Sequence, residues 1–163
     1  MQPLYLVTGA AGHLGNTVIQ GLLKECAAVR ALVLPHELEA AHRILGTKPE
    51  LILGDVTDEK SLEPFFTNPE RAELCVIHCA GVISITSSFD PLVYDVNVNG
   101  TRNIINLCKQ HEVSKLVYIS SVHAIPELPH GKVISEADTF SPDDVSGLYA
   151  KTKAEATQLV LEA

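Results

Sequence analysis

Apolar residues follow two alternating patterns along the chain. Short apolar runs are each followed by a stretch whose apolar side chains recur every three or four residues, as Leu14, Val18 and Leu22 do. The runs predict five β-strands, at residues 4–8, 29–34, 51–53, 74–78 and 116–119. The stretches between them predict helices: one that starts near Leu14, one that Pro35 opens, one that carries Leu62, Phe65 and Phe66, one over residues 91–111, and a last one from Asp143 to the end.

The order of these elements predicts the architecture. Strands that alternate with helices form a parallel sheet with right-handed crossovers, so we predict an α/β, Rossmann-like doubly wound fold and a single domain over residues 1–163. Residues 123–142 contain three prolines and one glycine and predict a loop whose length indicates a function. The last helix reaches Ala163 without a capping signal, so we expect the chain to be the N-terminal part of a longer protein, truncated before a C-terminal region.

Charge and hydropathy narrow the class of partner. The net charge of −8 would repel nucleic acids and anionic lipids, so we expect neither as a partner. No apolar run approaches the length of a membrane span, and the first strand begins too early to leave room for a signal peptide. These features predict a cytoplasmic protein without a membrane partner.

The cysteines and histidines predict neither disulfides nor a metal site. Cys75 and Cys79 would lie about 13 Å apart along one strand, which is too far for a disulfide. We therefore expect all four cysteines to be reduced core residues. No HExxH motif or Cys/His cluster has the spacing of metal ligands; we expect His78 in the core and His42 and His111 on the surface.

A glycine-rich segment, Thr8–Gly15, lies directly between the first predicted strand and the first predicted helix. Glycines there permit a tight turn, a close approach of the backbone to a diphosphate, and close packing of the helix on the strand. The N-terminus of the helix offers unpaired N–H groups to phosphate oxygens. The segment therefore predicts a dinucleotide site in this strand–turn–helix context.

A second motif, Tyr149 and Lys153, has the spacing of one helical turn, so both side chains can reach one site. With Thr8–Gly15, it resembles the TGxxGxxG and YxxxK pattern of the extended short-chain dehydrogenase/reductase family, of NAD-dependent epimerase/dehydratase type. The segments between the two motifs follow the family's order: Gly54-Asp55-Val56, Cys79-Ala80-Gly81, Asn97-Val98-Asn99-Gly100-Thr101 and Ile119-Ser120-Ser121. The run Val29-Arg-Ala-Leu-Val also resembles dihydroflavonol-reductase and 3β-hydroxysteroid-dehydrogenase-like members.

The resemblance implies an NAD(P)-binding domain with specific cofactor contacts. Residues of the glycine turn would hold the phosphates: Gly9, Ala11, Gly12, His13, Leu14 and Gly15. Asp55 and Val56 would flank the adenine ring, and Cys79, Ala80 and Gly81 would border the ribose and diphosphate. Leu34 and His36 occupy the place after the second strand where NAD enzymes carry an acidic residue and NADP enzymes an arginine.

That place favours NADP over NAD. Neither an acidic residue nor an arginine stands there, and the lack of a carboxylate leaves room for a 2′-phosphate that His36 or Arg43 could approach. Arg30 lies at the wrong end of the strand, and we expect Glu37 to point along the helix.

The resemblance also implies catalytic roles. Tyr149 would exchange a proton with the substrate oxygen, Lys153 would favour the phenolate and hold the nicotinamide ribose, and Ser121 would donate a hydrogen bond to the substrate oxygen. Asn97 matches an asparagine that supports the active site in related enzymes; a helix-capping or packing amide is an equally good interpretation. His123 could face the substrate or have no role.

Three functions remain open at this point. The first is a hydride transfer between nicotinamide and a small carbonyl or alcohol substrate. The second is a nucleotide-sugar epimerase or dehydratase with tightly bound NAD. The third is a non-catalytic nucleotide sensor. The presence of Tyr149 argues against it, because sensors on this fold typically lack that tyrosine. The resemblance further implies a homodimer formed through the fourth and fifth predicted helices, at residues 91–111 and from Asp143 onward.

Overall fold

The computed structural model describes residues 3–85 and 88–163, which form two units. The first unit extends to Ala80 and includes Asn103–Ile119. The second unit comprises Gly81–Arg102 and Ser120–Ala163.

The first unit contains a parallel sheet of five strands in the order β3-β2-β1-β4-β5. Its strands are β1 Leu4–Thr8, β2 Ala28–Val33, β3 Glu50–Leu53, β4 Leu74–His78 and β5 Lys115–Tyr118. Val7 of the central strand pairs with Ala31 on one side and Ile77 on the other. The predicted α/β Rossmann-like sheet and all five predicted strands are confirmed, with ends that shift by a residue.

Helices α1 His13–Lys24, α2 Leu38–Leu45 and α3 Glu59–Phe66 also belong to this unit. Ile19 of α1 and Ala41 of α2 pack with Val7 and Ala31 in one core cluster, and all four are fully buried. The predicted apolar face of α3 is confirmed, because its Leu62, Phe65 and Phe66 are fully buried. Burial of side chains from both helices and strands is what holds these elements to the sheet.

The predicted helix over residues 91–111 is confirmed, but it is not uniformly α-helical. It consists of α4 Pro91–Tyr94, a π-helical turn Asp95–Asn99, and α5 Gly100–Gln110. Asp90 caps its start, since its side chain accepts a hydrogen bond from the N–H of Leu92. A π-helical turn inside an α-helix often marks a functional position, and Asn97 lies in this one.

The last helix begins later than predicted. Helix α6 spans Leu148–Leu161, and Pro142–Asp144 form a separate 3₁₀ turn. The predicted start at Asp143 is therefore wrong. Val145 is extended and Gly147 has a φ of +91°, a value that interrupts any helix before Leu148. The loop predicted for residues 123–142 also contains the end of a 3₁₀ turn, Val122–Ala124.

The prediction that all cysteines lie in the core is wrong. Cys108 is buried, Cys75 and Cys79 are half-buried, and Cys26 is exposed. Cys26 follows the end of α1 with a φ of 59°, where the chain turns toward β2 and its side chain faces solvent. All four are free thiols.

The histidine predictions are confirmed for His78, which is buried, and His42, which is exposed. The prediction for His111 is wrong, because its side chain is only 24% exposed. Its ring stacks on Phe66 at a centroid distance of 5.4 Å, and its Nε2 lies 3.4 Å from a carboxylate oxygen of Glu63.

Within residues 3–85 and 88–163, no helix has both the length and the apolar character that a membrane crossing requires. The same residues contain no group of three or more His, Cys, Asp or Glu side chains that could hold a metal ion.

Candidate cofactor and active site

The glycine turn of the first unit requires glycine at two positions. Gly9 has a φ of +63°, and a Cβ there would lie 2.7 Å from the backbone nitrogen of Ala80. A Cβ on Gly15 would overlap the carbonyl oxygen of Gly9. The turn therefore brings three backbone segments close together, and a side chain at either position would force them apart.

The N-terminus of α1 is open to a ligand. Gly12 is its N-cap residue and supplies no side-chain hydrogen bond. The N–H of Gly12 donates to the carbonyl of Gly9 at 3.0 Å, which closes the turn. His13 and Leu14, in the first helical turn, are both exposed. N–H groups without a side-chain cap at a glycine turn match the geometry that binds phosphate, so the residues present fit a dinucleotide.

Thr8 connects this turn to the end of β4. Its fully buried hydroxyl accepts hydrogen bonds from the N–H groups of Cys79 at 3.2 Å and Ala80 at 3.1 Å. The same oxygen lies 2.6 Å from Nδ1 of His78. Sequence analysis did not single out this role, although a threonine directly before the glycine turn is a signal for it. Thr8 thus positions two of the predicted cofactor residues.

At the end of β2, Leu34 is half-buried and His36 is exposed. Arg30 is not available there. Its Nε donates to a carboxylate oxygen of Glu50 at 2.7 Å, and its Nη1 donates to the carbonyls of Phe65 and Thr67 at 2.9 and 2.8 Å. Arg30 therefore has a structural role.

Asp55 and Val56 follow β3. The Oδ1 of Asp55 accepts hydrogen bonds from the N–H and the hydroxyl of Thr57, at 2.9 and 2.8 Å. Val56 is buried, and its carbonyl accepts a hydrogen bond from Nδ2 of Asn103 at 2.9 Å. Both residues are thus held in place by neighbours, which suits a rigid edge for an aromatic ring.

Tyr149 and Lys153 lie one turn apart on α6, in the second unit. Lys153 is 5% exposed and Tyr149 is half-buried. The ring of Tyr149 meets the ring of His123 edge to face, with centroids 6.1 Å apart. Lysine is seldom this buried in proteins, because removing its ammonium group from water is costly.

The two serines after β5 have different partners. The hydroxyl of Ser120 lies 2.5 Å from that of Thr157, which itself donates to the carbonyl of Lys153 at 2.6 Å. The hydroxyl oxygen of Ser121 accepts a hydrogen bond from the N–H of His123 at 3.2 Å, and this bond leaves its own proton free to donate. The geometry therefore fits Ser121, rather than Ser120, as the hydrogen-bond donor to a substrate.

Both polar atoms of the Asn97 amide make hydrogen bonds. Its side chain is buried, its Oδ1 accepts from the N–H of Val82 at 2.8 Å, and its Nδ2 donates to the carbonyl of Val82 at 2.9 Å and the hydroxyl of Thr152 at 3.1 Å. Thr152 in turn donates to the carbonyl of Tyr149 at 2.9 Å. A Cβ on Gly81 would lie 3.3 Å from the Oδ1 of Asn97. Of the two interpretations of Asn97, these contacts match a packing amide that reaches α6.

Thr152 and Thr157 were missed by sequence analysis. Both hydroxyls bond backbone carbonyls of α6 one turn earlier, and both also contact residues outside the helix. Their spacing from Tyr149 and Lys153, three and four residues, was the available signal.

A cleft of about 610 Å³ opens in the second unit beside α6. Ala150, which follows Tyr149, and His123 both line it. Its other walls come from the 3₁₀ turns and from the loop that precedes α6: Val122, Ile125, Glu127, Ile134, Ser135, Glu136, Asp144, Val145 and Ser146. The volume is that of a small-molecule site.

The model of the 3-beta hydroxysteroid dehydrogenase/isomerase family matches residues 6–163. The chain belongs to this family. Membership confirms the resemblance to extended short-chain dehydrogenases/reductases that the two motifs carry.

The chain is similar in sequence and in structure to several enzymes. Sterol demethylase protein B of Methylococcus capsulatus is 33% identical over 97% of this chain and 46% of its own length. The 3 beta-hydroxysteroid dehydrogenase type 7 of Mus musculus is 32% identical over 98% of this chain and 44% of its own. The crystal structure of the Thermus thermophilus UDP-glucose 4-epimerase in complex with NAD has a TM-score of 0.74 and 26% identity, and the match covers 98% of this chain and 50% of that one. The chain spans about half the length of these relatives.

Proposed function

We propose that this chain is the cofactor-binding part of an NAD(P)-dependent oxidoreductase that transfers a hydride between nicotinamide and a carbonyl or alcohol substrate. The observation that carries the proposal is the pair on α6: buried Lys153 lies one turn after Tyr149, whose ring contacts His123 at the wall of a cleft. Because the chain spans about half the length of its relatives, the activity is proposed for the whole protein.

The glycine turn and the N-terminus of α1 would hold the cofactor diphosphate. Gly9 and Gly15 support this role, since a Cβ at either position would meet backbone atoms. We assign the remaining cofactor contacts to Asp55 and Val56 at the adenine and to Cys79, Ala80 and Gly81 at the ribose and diphosphate. When bound, the nicotinamide supplies the hydride or accepts it.

Three side chains of the second unit would handle the proton. The ammonium of Lys153, one turn along α6, would stabilise negative charge on the Tyr149 oxygen while a proton is transferred. The hydroxyl of Tyr149 would exchange the proton with the substrate oxygen. Ser121 would donate a hydrogen bond to the same oxygen as charge develops on it. Lys153 would also hold the nicotinamide ribose.

We propose NADP as the preferred cofactor. Exposed His36 and Arg43 carry the groups that could approach a 2′-phosphate, and Arg30 is occupied by Glu50. We expect NADPH to bind about tenfold more tightly than NADH, and Arg43→Gln to reduce that ratio. Exposed Arg71→Gln is the control. Equal affinities for NADPH and NADH would remove the preference.

A nucleotide-sugar epimerase with tightly bound NAD is the second candidate. The similarity to a UDP-glucose 4-epimerase complexed with NAD, at a TM-score of 0.74, favours it. Stoichiometric NAD that survives purification would support the epimerase, whereas oxidation of added NADPH by ketones would support the reductase.

We propose that the chain forms a homodimer through the helices over residues 91–110 and α6. Light scattering after gel filtration tests this assembly, and we expect the mass of two chains.

The cytoplasmic location stays a prediction.

Tyr149→Phe tests the proposed chemistry. The variant retains the ring but loses the proton that the mechanism needs, so we expect NADPH oxidation with a ketone to fall at least about a hundredfold while NADPH affinity is unchanged. Tyr94→Phe is the matched control, because it removes a phenol hydroxyl whose bond goes to Glu155, at 2.8 Å. We expect that control to turn over normally with slightly lower stability. Normal turnover in Tyr149→Phe would refute the role.

A further inference from the structure

The carboxyl ends of β1 and β4 lie side by side in the sheet of the first unit. The chain builds this sheet outward from β1 through β2 to β3, and then crosses to β4 and β5 on the other side. Open parallel sheets bind ligands beyond the strand ends at which the strand order reverses in this way. Thr8 and His78 are the last residues of β1 and β4, and they are register partners at this point.

The contacts of the Thr8 hydroxyl determine where its proton points. Its oxygen accepts hydrogen bonds from the N–H groups of Cys79 at 3.2 Å and Ala80 at 3.1 Å. A hydroxyl has two acceptor lone pairs and one proton, so these two bonds leave only the proton to be shared. That proton is directed to Nδ1 of His78, which lies 2.6 Å away. Nδ1 therefore accepts, and the ring proton of the neutral imidazole lies on Nε2.

This bond between Thr8 and His78 is shielded from water. Thr8 is 0% exposed and His78 is 1% exposed. The ring of His78 also contacts the ring of Tyr118 at the end of β5, with centroids 5.7 Å apart. A buried hydroxyl proton without an acceptor is costly, so loss of Nδ1 would turn the Thr8 hydroxyl away from its present direction.

A change in that direction would reach the glycine turn. The backbone of Ala80 is so close to the turn that a Cβ on Gly9 would lie 2.7 Å from the Ala80 nitrogen. Even a small movement at the end of β4 therefore alters the space beside the turn.

We infer that His78 is a positioning residue of the cofactor site. It takes the hydroxyl proton of Thr8, and the hydroxyl oxygen then fixes the N–H groups of Cys79 and Ala80. The inference rests on the proposed function, in which the end of β4 borders the ribose and diphosphate of the cofactor.

NMR of the protein without cofactor tests the contact itself. We expect the ¹⁵N spectrum of the His78 ring near neutral pH to show the proton on Nε2. His78→Leu retains a similar volume but offers no acceptor. In this variant we expect the Cys79 and Ala80 amides to exchange at least about tenfold faster, relative to the amide of Ala31 in buried β2, than in the unmodified protein.

A rescue variant and a control separate this role from a general loss of stability. His78→Asn places an amide oxygen as many bonds from the backbone as Nδ1 and should restore most of the protection. Val76→Ala is the control, because it opens a cavity at a fully buried position two residues earlier on β4. It should lower stability and leave the exchange ratio unchanged.

A double variant tests whether His78 acts through Thr8. In a Thr8→Val background, where the hydroxyl is absent, His78→Leu should cause no further change in the exchange ratio. Calorimetric titration measures the effect on the site. We expect His78→Leu to bind NADPH about tenfold more weakly than the unmodified protein, and His78→Asn and Val76→Ala to stay within about threefold of it.

A ring proton on Nδ1, an unchanged exchange ratio in His78→Leu, or an undiminished effect of His78→Leu in the Thr8→Val background would overturn the inference. Faster exchange with unaltered NADPH affinity would overturn the link between His78 and the cofactor site. If the unmodified protein bound neither NADPH nor NADH, the proposed function and this link would both fail. The ring tautomer and the exchange ratios would still decide whether His78 orients Thr8, so the two failures are distinguishable.

Discussion

The rings of His123 and Tyr149 meet edge to face, with centroids 6.1 Å apart and ring planes inclined by 72°. The contact joins the 3₁₀ turn Val122–Ala124 to helix α6. The hydroxyl oxygen of Ser121 accepts a hydrogen bond from the backbone N–H of His123, so the same turn also fixes the orientation of the Ser121 side chain. His123 is thus placed to orient both proposed catalytic hydroxyls.

Removal of the His123 ring should disturb the orientation of Tyr149 more than it lowers the stability of the fold. Edge-to-face ring pairs contribute about 0.5–1.5 kcal/mol, so we expect His123→Ala to lower kcat/KM up to about tenfold through kcat. His123→Phe keeps an aromatic ring and should recover most of the activity. Steady-state kinetics of both variants checks this, and equal defects in the two would show that the ring contact does not orient Tyr149.

Asn97 should contribute chiefly to stability. Asn97→Ala would leave the N–H and carbonyl of half-buried Val82 without their partner and open a gap at a buried position, and we expect the free energy of unfolding to fall by about 2 kcal/mol. Urea unfolding measures the loss. Asn99→Ala, which removes exposed hydrogen bonds to Asp95 and from Arg102, is the control and should cost less than about 1 kcal/mol. A fully stable Asn97→Ala variant without activity would instead assign this amide to catalysis.

The prediction of the sheet from sequence succeeded because apolar runs and turn residues are local signals. The start of α6 was wrong because helical periodicity before Leu148 does not reveal that Gly147 adopts a φ of +91°. The π-helical turn around Asn97 was likewise not predicted. The side chain of Asn97 contacts Val82 and Thr152, which lie 15 and 55 residues away in sequence, and a local pattern does not reveal such contacts.

The candidate site shows the same division. The glycine turn and the tyrosine–lysine spacing are local patterns and could be identified directly. Ser120 is bonded to Thr157, which is 37 residues away, so no local pattern could reveal that Ser120 and Ser121 have different partners. The length of the loop over residues 123–142 indicated a function, but a loop without periodicity does not show which of its side chains line a cleft.

The thiols should differ sharply in reactivity and in their effect on stability at high pH. Burial raises the pKa of the Cys108 thiol to about 12, whereas Cys26 is exposed. We expect a thiol reagent to label Cys26 rapidly in the native protein and Cys108 only after unfolding. Mass spectrometry of the labelled peptides checks this, and rapid native labelling of Cys108 would contradict its burial.

The same pKa shift has a definite sign in stability. The Cys108 thiol has a pKa near 9.0 in the unfolded chain and about 12 in the folded protein. The contribution of the neutral thiol to the free energy of unfolding is therefore fully present below pH 9.0 and is lost as the pH rises toward 12. Cys108→Ala should therefore show a shallower loss of unfolding free energy over this range than the unmodified protein. Cys26→Ala is the control, and its unfolding free energy should fall with pH as steeply as that of the unmodified protein. If Cys108→Ala showed that same slope, the raised pKa of Cys108 would be contradicted.

The most direct test of the account is calorimetric titration of NADPH and NADH into the protein and into Gly12→Val. Gly12 is exposed, with an ordinary extended φ of −74° and ψ of 167°. A Cβ there would lie 3.2 Å from the carbonyl oxygen of Gly9, so the turn must shift by a few tenths of an ångström to accept valine, whose side chain would cover the phosphate position at the start of α1. The exposed Gly21→Ala, where a Cβ meets nothing within 4 Å, is the control. We predict one cofactor per chain in the protein and in the control, and loss of binding in Gly12→Val with a melting temperature lowered by less than about 5 °C. Undiminished binding in Gly12→Val, or no binding of either cofactor to the unmodified protein, would contradict the account.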